Sequence, residues 1–323
     1  MKLEVKNLTT GYNGYKIIEN LNLSIPEGKI TALIGANGCG KSTLLKTICR
    51  IIEPMSGEVL LDGKNMHAMD SRQLAKQVAI LPQNPSAPGA LTVRELVMYG
   101  RAPHKSSLFS RTSREDREMV EWALKETDLL EFADRGIEHM SGGQRQRAWI
   151  AMAIAQDTDI LFLDEPTSFL DVSHQLDVLH MVDHLNKKYG KTIIMVIHEL
   201  NEAARFADYL VAMRKGTILY EGSPYDVFNN DMLCDVFGID STIMNDPRTN
   251  RPFSIPYSVK ANLEIPAPRD PLAEPLAGIP VCAVSNVSGE STVSGDSDAS
   301  THIRGGAPLQ VPGGLSAQGS QEV

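Results

Sequence analysis

The chain has 323 residues, with 31 Lys and Arg against 40 Asp and Glu, and a formal net charge of −9. That balance excludes a nucleic-acid-binding surface and an unaided grip on anionic lipid, and no apolar run approaches the roughly 18 residues that span a bilayer. The length allows one or two domains, and the four cysteines, Cys39, Cys49, Cys234 and Cys282, show no C-x-x-C spacing, which suits a reduced cytosol.

Met1 to Thr10 alternates like an edge strand and not like a secretory leader. The short β-prone run from Lys29 to Ile34 leads into the string GANGCGKS, Gly35 to Ser42, and Thr43 to Ile48 reads as a helix. This strand–loop–helix order is the setting that the pattern G-x-x-x-x-G-K-[ST] needs in order to cradle phosphates. Gly35, Gly38 and Gly40 let the backbone curl with its N–H groups inward, and the helix starting near Lys41 adds its positive end. Lys41 would reach the β- and γ-phosphates, and Ser42 would hold Mg²⁺. Ala36, Asn37, Cys39 and Thr43 complete the cradle.

Val78 to Leu81 predicts a further strand, with Gln83 just beyond it, where an amide could reach Mg²⁺ or a water. A helical insert follows, over about 88–155. Thr92 with Glu95, and Ser113 with Asp116, have the spacing of capping boxes. Ser141-Gly142-Gly143-Gln144 reads as another helix N-terminus: a hydroxyl, two glycines open to close approach, and a helix from Gln144 to about Ala155.

Ile160 to Leu163 is continuously apolar, as in a strand buried on both faces, and ends in Asp164-Glu165-Pro166. Asp164 would sit at the C-terminal edge of an open sheet, where ligands bind, and is the natural partner of Mg²⁺. Glu165 is placed to polarise an attacking water. Val172, Leu176, Leu179, Val182 and Leu185 recur at helical spacing up to Gly190, and Thr192 to Ile197 predicts the next strand, ending in His198, a γ-phosphate contact. Asp177, His180 and His184 have a metal-binding spacing on that helix, but a solvated helix face accounts for them more simply.

Residues 261–323 contain no Phe, Trp or Tyr and are rich in Pro, Gly, Ser and Ala, with Arg269 and Arg304 against seven acidic residues. Such a segment buries too little apolar surface to offset its ordering entropy. A disordered tail is therefore expected over 258–323, either a neutral extension or a partner-binding segment.

Taken in order, GANGCGKS, Gln83, SGGQ, ILFLDE, Ser168-Phe169-Leu170-Asp171 and His198 resemble the nucleotide-binding subunit of ATP-binding-cassette transporters. The resemblance covers roughly residues 1–257. It implies an α/β fold: a P-loop NTPase core, an N-terminal antiparallel β-subdomain and a helical subdomain carrying SGGQ. It implies that ATP and Mg²⁺ bind, that Tyr12 stacks on the adenine (Tyr15 is a possible substitute), and that Asp171 belongs to the nucleotide site. It also implies that Ser141, Gly142, Gly143 and Gln144 contact the nucleotide of the opposite subunit. With one phosphate loop and one SGGQ in the chain, a complete site would need a second copy, head to tail about a two-fold axis.

GRAPHKSSLFSR at 100–111, SREDREMVEWAL at 113–124 and the run from Gly143 to Asp171 are similar to the subgroup that powers iron–siderophore importers, with haem and cobalamin importers close by. The implied protein is an ATPase motor, peripheral on the cytoplasmic face of the membrane. Its partners would be transmembrane permease subunits and, indirectly, a substrate-binding protein. Asn84 to Ala90 and Arg101 to Phe109 are candidate docking segments. A soluble cassette ATPase would be expected to carry two cassettes or a coiled-coil insert. A non-catalytic gating subunit would be expected to lose Lys41, Asp164, Glu165 or His198. Importer-like spacing disfavours an exporter motor.

Overall fold

A computed structural model describes residues 1–87, 91–105 and 111–259. β1 (Leu3–Tyr12) and β2 (Tyr15–Ile25) form a hairpin around Asn13 and Gly14. Both turn residues have positive φ, 50° and 81°, which a tight two-residue turn requires. The chain then enters β3 (Ile30–Gly35) and α1 (Lys41–Ile48), and returns as β4 (Ser56–Leu61) and β5 (Lys64–Asn65). The first sheet has the order β2-β1-β4-β5 and is antiparallel throughout. β1 is thus an inner strand, not the edge strand its alternation suggests. Leu3, Val5 and Leu8 do point into a core, but β4, its second partner, arrives only after α1, and nothing in the first ten residues announces it.

α2 (Ser71–Ala75) and β6 (Val78–Leu81) lead to the helical segment: α3 (Val93–Tyr99), α4 (Arg114–Glu126) and α5 (Gly142–Ala155). Each of these three helices starts on a reciprocal capping box, at Thr92 with Glu95, Ser113 with Asp116, and Ser141 with Gln144. The core resumes with β7 (Ile160–Asp164), α6 (Val172–Tyr189), β8 (Thr192–Val196), α7 (Leu200–Phe206), β9 (Tyr209–Arg214) and β10 (Thr217–Gly222). Last come α8 (Pro224–Val227), α9 (Asn230–Phe237) and the hairpin of β11 (Ile239–Asn245) with β12 (Pro252–Val259).

The second sheet runs β10-β9-β3-β8-β7-β6. From β9 to β6 all pairings are parallel, and β10 closes one edge antiparallel. Every residue of β3, β7 and β8 is buried, as expected of strands covered on both faces. One core lies between this sheet and the helices, and a second joins its other face to α1 and the antiparallel sheet. The parallel strands all finish at one edge, and the predicted site residues collect there.

Two polar devices hold the helical segment. Arg101, 1% exposed, pairs through Nε with Asp116 Oδ1 at 3.1 Å and donates from Nη1 to Ala155 O at 2.8 Å. It thereby joins the end of α3, the start of α4 and the end of α5. At the surface, Trp122 Nε1 donates to Tyr189 Oη at 3.0 Å with the rings edge to face, and Lys188 pairs with Glu126. The His184 ring also meets Glu126, while His180 packs on Phe206. The Asp177–His180–His184 spacing therefore gathers no metal site, and among the described residues no such cluster exists.

β12 continues to Val259, two residues past the boundary expected at 257. Residues 260–323, expected as a tail, lie outside the described residues, as do 88–90 and 106–109 of the candidate docking segments.

Removing one partner of a buried ion pair strands the other. Arg101→Ala is expected to cost about 3–5 kcal/mol of folding stability, read as a lower midpoint in urea unfolding with an unchanged slope.

Candidate functional site

The phosphate loop leaves β3 through Gly35, whose φ is 151°. A Cβ there would stand 2.3 Å from Met213 O and 2.7 Å from Cys39 Sγ, so no larger residue fits. Gly40 caps α1 with φ 109° and offers no side-chain cap, and no acidic residue sits in the helix's first turn. The first N–H groups of α1 thus face the loop without a side-chain acceptor. The loop also leans on the β9–β10 turn: Gly216 N donates to Cys39 O at 2.8 Å. A Cβ on Gly216 would lie 1.9 Å from Ile17 O.

Lys41 is 4% exposed. Its ammonium donates to Gly35 O at 2.7 Å and Ala36 O at 3.3 Å. Among the described residues, no carboxylate comes within ion-pair distance of it. Cys39 Sγ lies 3.8 Å away as a third, weak acceptor, and a buried cation held only by neutral acceptors is a strong attractor for an anion.

The sheet order β8-β7-β6 sets three loops side by side, with His198, the Asp164–Glu165 pair and Gln83 on successive strand ends. Asp164 ends β7 at 2% exposure, and its Oδ1 accepts from Ser42 Oγ at 3.3 Å. Burial pushes its carboxyl above the ordinary value, and the adjacent Glu165 charge adds to the shift. It has no cationic partner within ion-pair distance among the described residues.

Glu165 steps out of the strand with φ 54°, a left-handed conformation that is strained for a residue with a Cβ. The turn aims its carboxylate at three donors. Oε1 faces His198 Nε2, and Oε2 accepts from Gln83 Nε2 and from Ser168 Oγ, the last at 2.9 Å. Burial alone would raise the Glu165 carboxyl, but the hydrogen bonds from His198, Ser168 and Gln83 outweigh it and hold the group below its ordinary value.

A cleft runs along these groups, lined by Asn37 to Thr43, Ile17, Glu165 and His198. It shares Asn37, Glu165 and His198 with a neighbouring cleft walled by Ser168, Phe169 and Gln175. The structure thus brings together the loop, Asp164, Glu165, His198 and Gln83. Ile17 and the Ser168 clamp were not foreseen. Ser168 stands three residues after Glu165, a spacing that could have suggested it, whereas nothing in the sequence singles out Ile17.

Other predicted residues stand apart from this cleft. Tyr12 and Tyr15 flank the first hairpin turn, 42% and 81% exposed, and line neither cleft. Ser141 and Gln144 satisfy each other at the start of α5. Gly143 lies so close to His174 that a Cβ would come within 2.0 Å of its ring. Asp171 caps α6, its Oδ1 accepting from His174 N at 2.9 Å. None of Ser141 to Gln144, nor Asp171, lines the cleft of its own chain.

Comparison with known proteins gives these features a family. A model described as "ABC transporter" matches residues 18–168. The iron(3+)-hydroxamate import ATP-binding protein FhuC of Bacillus subtilis is 54% identical over 260 residues, 80% of this chain and 96% of that protein. The ferric enterobactin transport ATP-binding protein FepC of Escherichia coli is 44% identical, covering 79% and 94%. The cobalamin import ATP-binding protein BtuD of Halobacterium salinarum is 33% identical across 95% of this chain and 78% of its own. Among solved structures, an inward-facing putative metal-chelate type ABC transporter superposes with a TM-score of 0.69 at 28% identity, covering 79% of this chain and 97% of that one. A dimeric bacterial ABC transporter cassette gives 0.60 at 30% identity, covering 68% and 98%. By its motifs, its fold and its relatives, the chain belongs to the ABC transporter family, among the ATP-binding subunits.

Proposed function

We propose that the chain is the ATP-hydrolysing motor of a membrane importer for ferric siderophores. The observation that carries the substrate class is the 54% identity to an iron(3+)-hydroxamate import subunit along almost its whole length. The observation that carries the chemistry is Lys41, a buried cation without a counter-ion among the described residues, at the mouth of the phosphate loop. A polyphosphate supplies the missing charge, so Lys41 and the loop amides from Gly35 to Thr43 hold the β- and γ-phosphates of ATP.

Glu165 is the general base for the attacking water. His198 and Gln83 hold the carboxylate from either side and are placed to orient that water and the γ-phosphate. Ser42 Oγ and Asp164 Oδ1 fit Mg²⁺, because they offer oxygens at a buried carboxylate that has no ion-pair partner among the described residues, and the Gln83 amide, bonded to the adjacent Glu165, is assigned as the third ligand. Mg²⁺ held there would supply charge neutralisation for the transferring phosphate. Tyr12, exposed near the cleft wall at Ile17, is assigned to the adenine.

Ser141 to Gln144 and Asp171 lie outside the chain's own cleft, so a second copy brings its SGGQ to this one's nucleotide. A dimeric cassette among the structural relatives supports that arrangement. Among the described residues no helix is long and apolar enough to cross a membrane. The resemblance to import ATP-binding subunits supports a motor that works on permease subunits at the cytoplasmic face of the membrane, and through them with a substrate-binding protein. The cassette is placed at residues 1–259, where β12 ends, and 260–323 is proposed as a tail. A cobalamin importer is the second reading, favoured by the alignment that extends over 95% of the chain.

Glu165→Gln keeps the side chain's shape and removes its basicity. Turnover is expected to fall by about 10²–10⁴-fold while nucleotide still binds and an ATP-loaded dimer accumulates on size exclusion. Wild-type hydrolysis would remove Glu165 from its role.

Lys41→Ala is expected to weaken nucleotide binding by about ten- to a hundredfold, the worth of a charge-assisted hydrogen bond. Fluorescent-nucleotide titration reads this directly, and unchanged affinity would place ATP elsewhere.

Deletion of the gene is expected to stop uptake of radiolabelled ferric hydroxamate and to spare haem and cobalamin uptake. Loss of cobalamin uptake alone would favour the second reading and leave the motor assignment intact.

A further inference from the structure

His198 stands on a short link. β8 ends at Val196 and α7 begins at Leu200, so the ring's position is set by how these two flanks are held. The first flank is tied to β3, with Ile197 N donating to Leu33 O at 3.3 Å. The second has no ordinary anchor: Glu199, at the cap position of α7, accepts no capping hydrogen bond with its side chain.

Asn201, in the first turn of α7, supplies one. Its Nδ2 donates to Ser254 O at 3.0 Å, and its Oδ1 accepts from Ser254 N at 2.7 Å and from Ser254 Oγ at 3.1 Å. A carboxamide carries the same donor and acceptor as a peptide group, so Asn201 pairs with β12 as a neighbouring strand would. Ser254 sits opposite Ile243 of β11 and is 3% exposed, at the buried heart of the C-terminal hairpin. α7 packs on both β12 and β3. Among the described residues the His198 ring has one ion-pair partner, Glu165. A shift of α7 along the hairpin would therefore be felt at that contact.

We propose that Asn201 is a positioning residue for ATP hydrolysis: by clamping the start of α7 to the main chain of Ser254, it fixes where the His198 ring meets Glu165. The inference rests on the role given to His198 above. It makes the C-terminal hairpin part of the catalytic frame, although no residue of the hairpin lines the cleft. Two of the three hydrogen bonds use the backbone of residue 254, so the amide at 201 matters more than the serine hydroxyl.

Steady-state hydrolysis and fluorescent-nucleotide binding by the purified full chain test this. Asn201→Ala is expected to lower kcat about tenfold, the scale of a sub-ångström misplacement, with KM and nucleotide affinity unchanged. Asn201→Asp keeps the acceptor and loses the donor, and is expected to fall between wild type and Asn201→Ala; it also covers the case in which the alanine variant folds poorly. Ser254→Ala removes one of the three hydrogen bonds and keeps both backbone ones, so it is expected to lose less kcat than Asn201→Ala. In single-turnover assays on a His198→Ala background, Asn201→Ala should cause no further loss. Wild-type kcat for Asn201→Ala, an equal loss in Ser254→Ala, or an undiminished loss on the His198→Ala background would each overturn the proposal. Wild-type turnover by His198→Ala alone would instead overturn the role of His198, and the positioning role with it.

Discussion

The constraint on which the site depends is the placement of one positive charge. Lys41 is withdrawn from water at the start of a helix whose N-terminal amides already favour anions, and among the described residues it is met by two carbonyls and a thiol sulfur, all neutral. Burying an unpaired charge costs several kcal/mol, and the surrounding fold has to sustain that cost with no nucleotide present. It does so through β3, β7 and β8, fully buried parallel strands that hold the loop's take-off point rigid. Glu165 adds a second strained element, a left-handed turn kept in place by three donors, two from neighbouring strand ends and one from its own loop. Strain and uncompensated charge are thus gathered at one edge of a sheet stiff enough to tolerate both.

The same sheet acts as a ruler. Neighbouring strands stand about 4.8 Å apart, so the order β8-β7-β6 delivers His198, Glu165 and Gln83 within reach of a common point despite their separation in sequence. The helical segment obeys a different geometry. It is fastened to itself by the buried Arg101–Asp116 pair and to α6 by the Trp122–Tyr189 contact, and its SGGQ turn packs on His174, away from the chain's own phosphate loop. In the proposed dimer each chain holds one half of a site rigid and offers its SGGQ turn as the complementary half.

Much of this was legible in the sequence, because the relevant signals are local. Glycines before a lysine, an apolar run ending in two carboxylates, and a serine or threonine three residues before an acid or amide each determine a few consecutive residues, and those elements fall where their patterns place them. Non-local pairing was not legible. β1 reads as an edge strand because its alternation reports one buried face and says nothing of a partner that arrives after α1. Ile17 enters the cleft only because the first sheet folds over the loop. Asn201 looks like an ordinary polar helix residue until β12 is laid beside it. Side chains that act through tertiary contacts leave no periodicity to read.

The loop's dependence on Gly216 bears on what counts as a module. Residues 35–42 look portable, a short cassette of glycines and a lysine with its own strand and helix. Yet Cys39 O is met by the N–H of Gly216, in a turn far along the chain that must also pass beneath Ile17 with no room for a methyl group. A graft of the eight residues into another scaffold would carry the flexible hinge points and leave behind the crib in which they rest. Such a transplant would behave as a mobile turn instead of a preformed nest, and an engineer would have to move the β9–β10 hairpin and the second strand along with it.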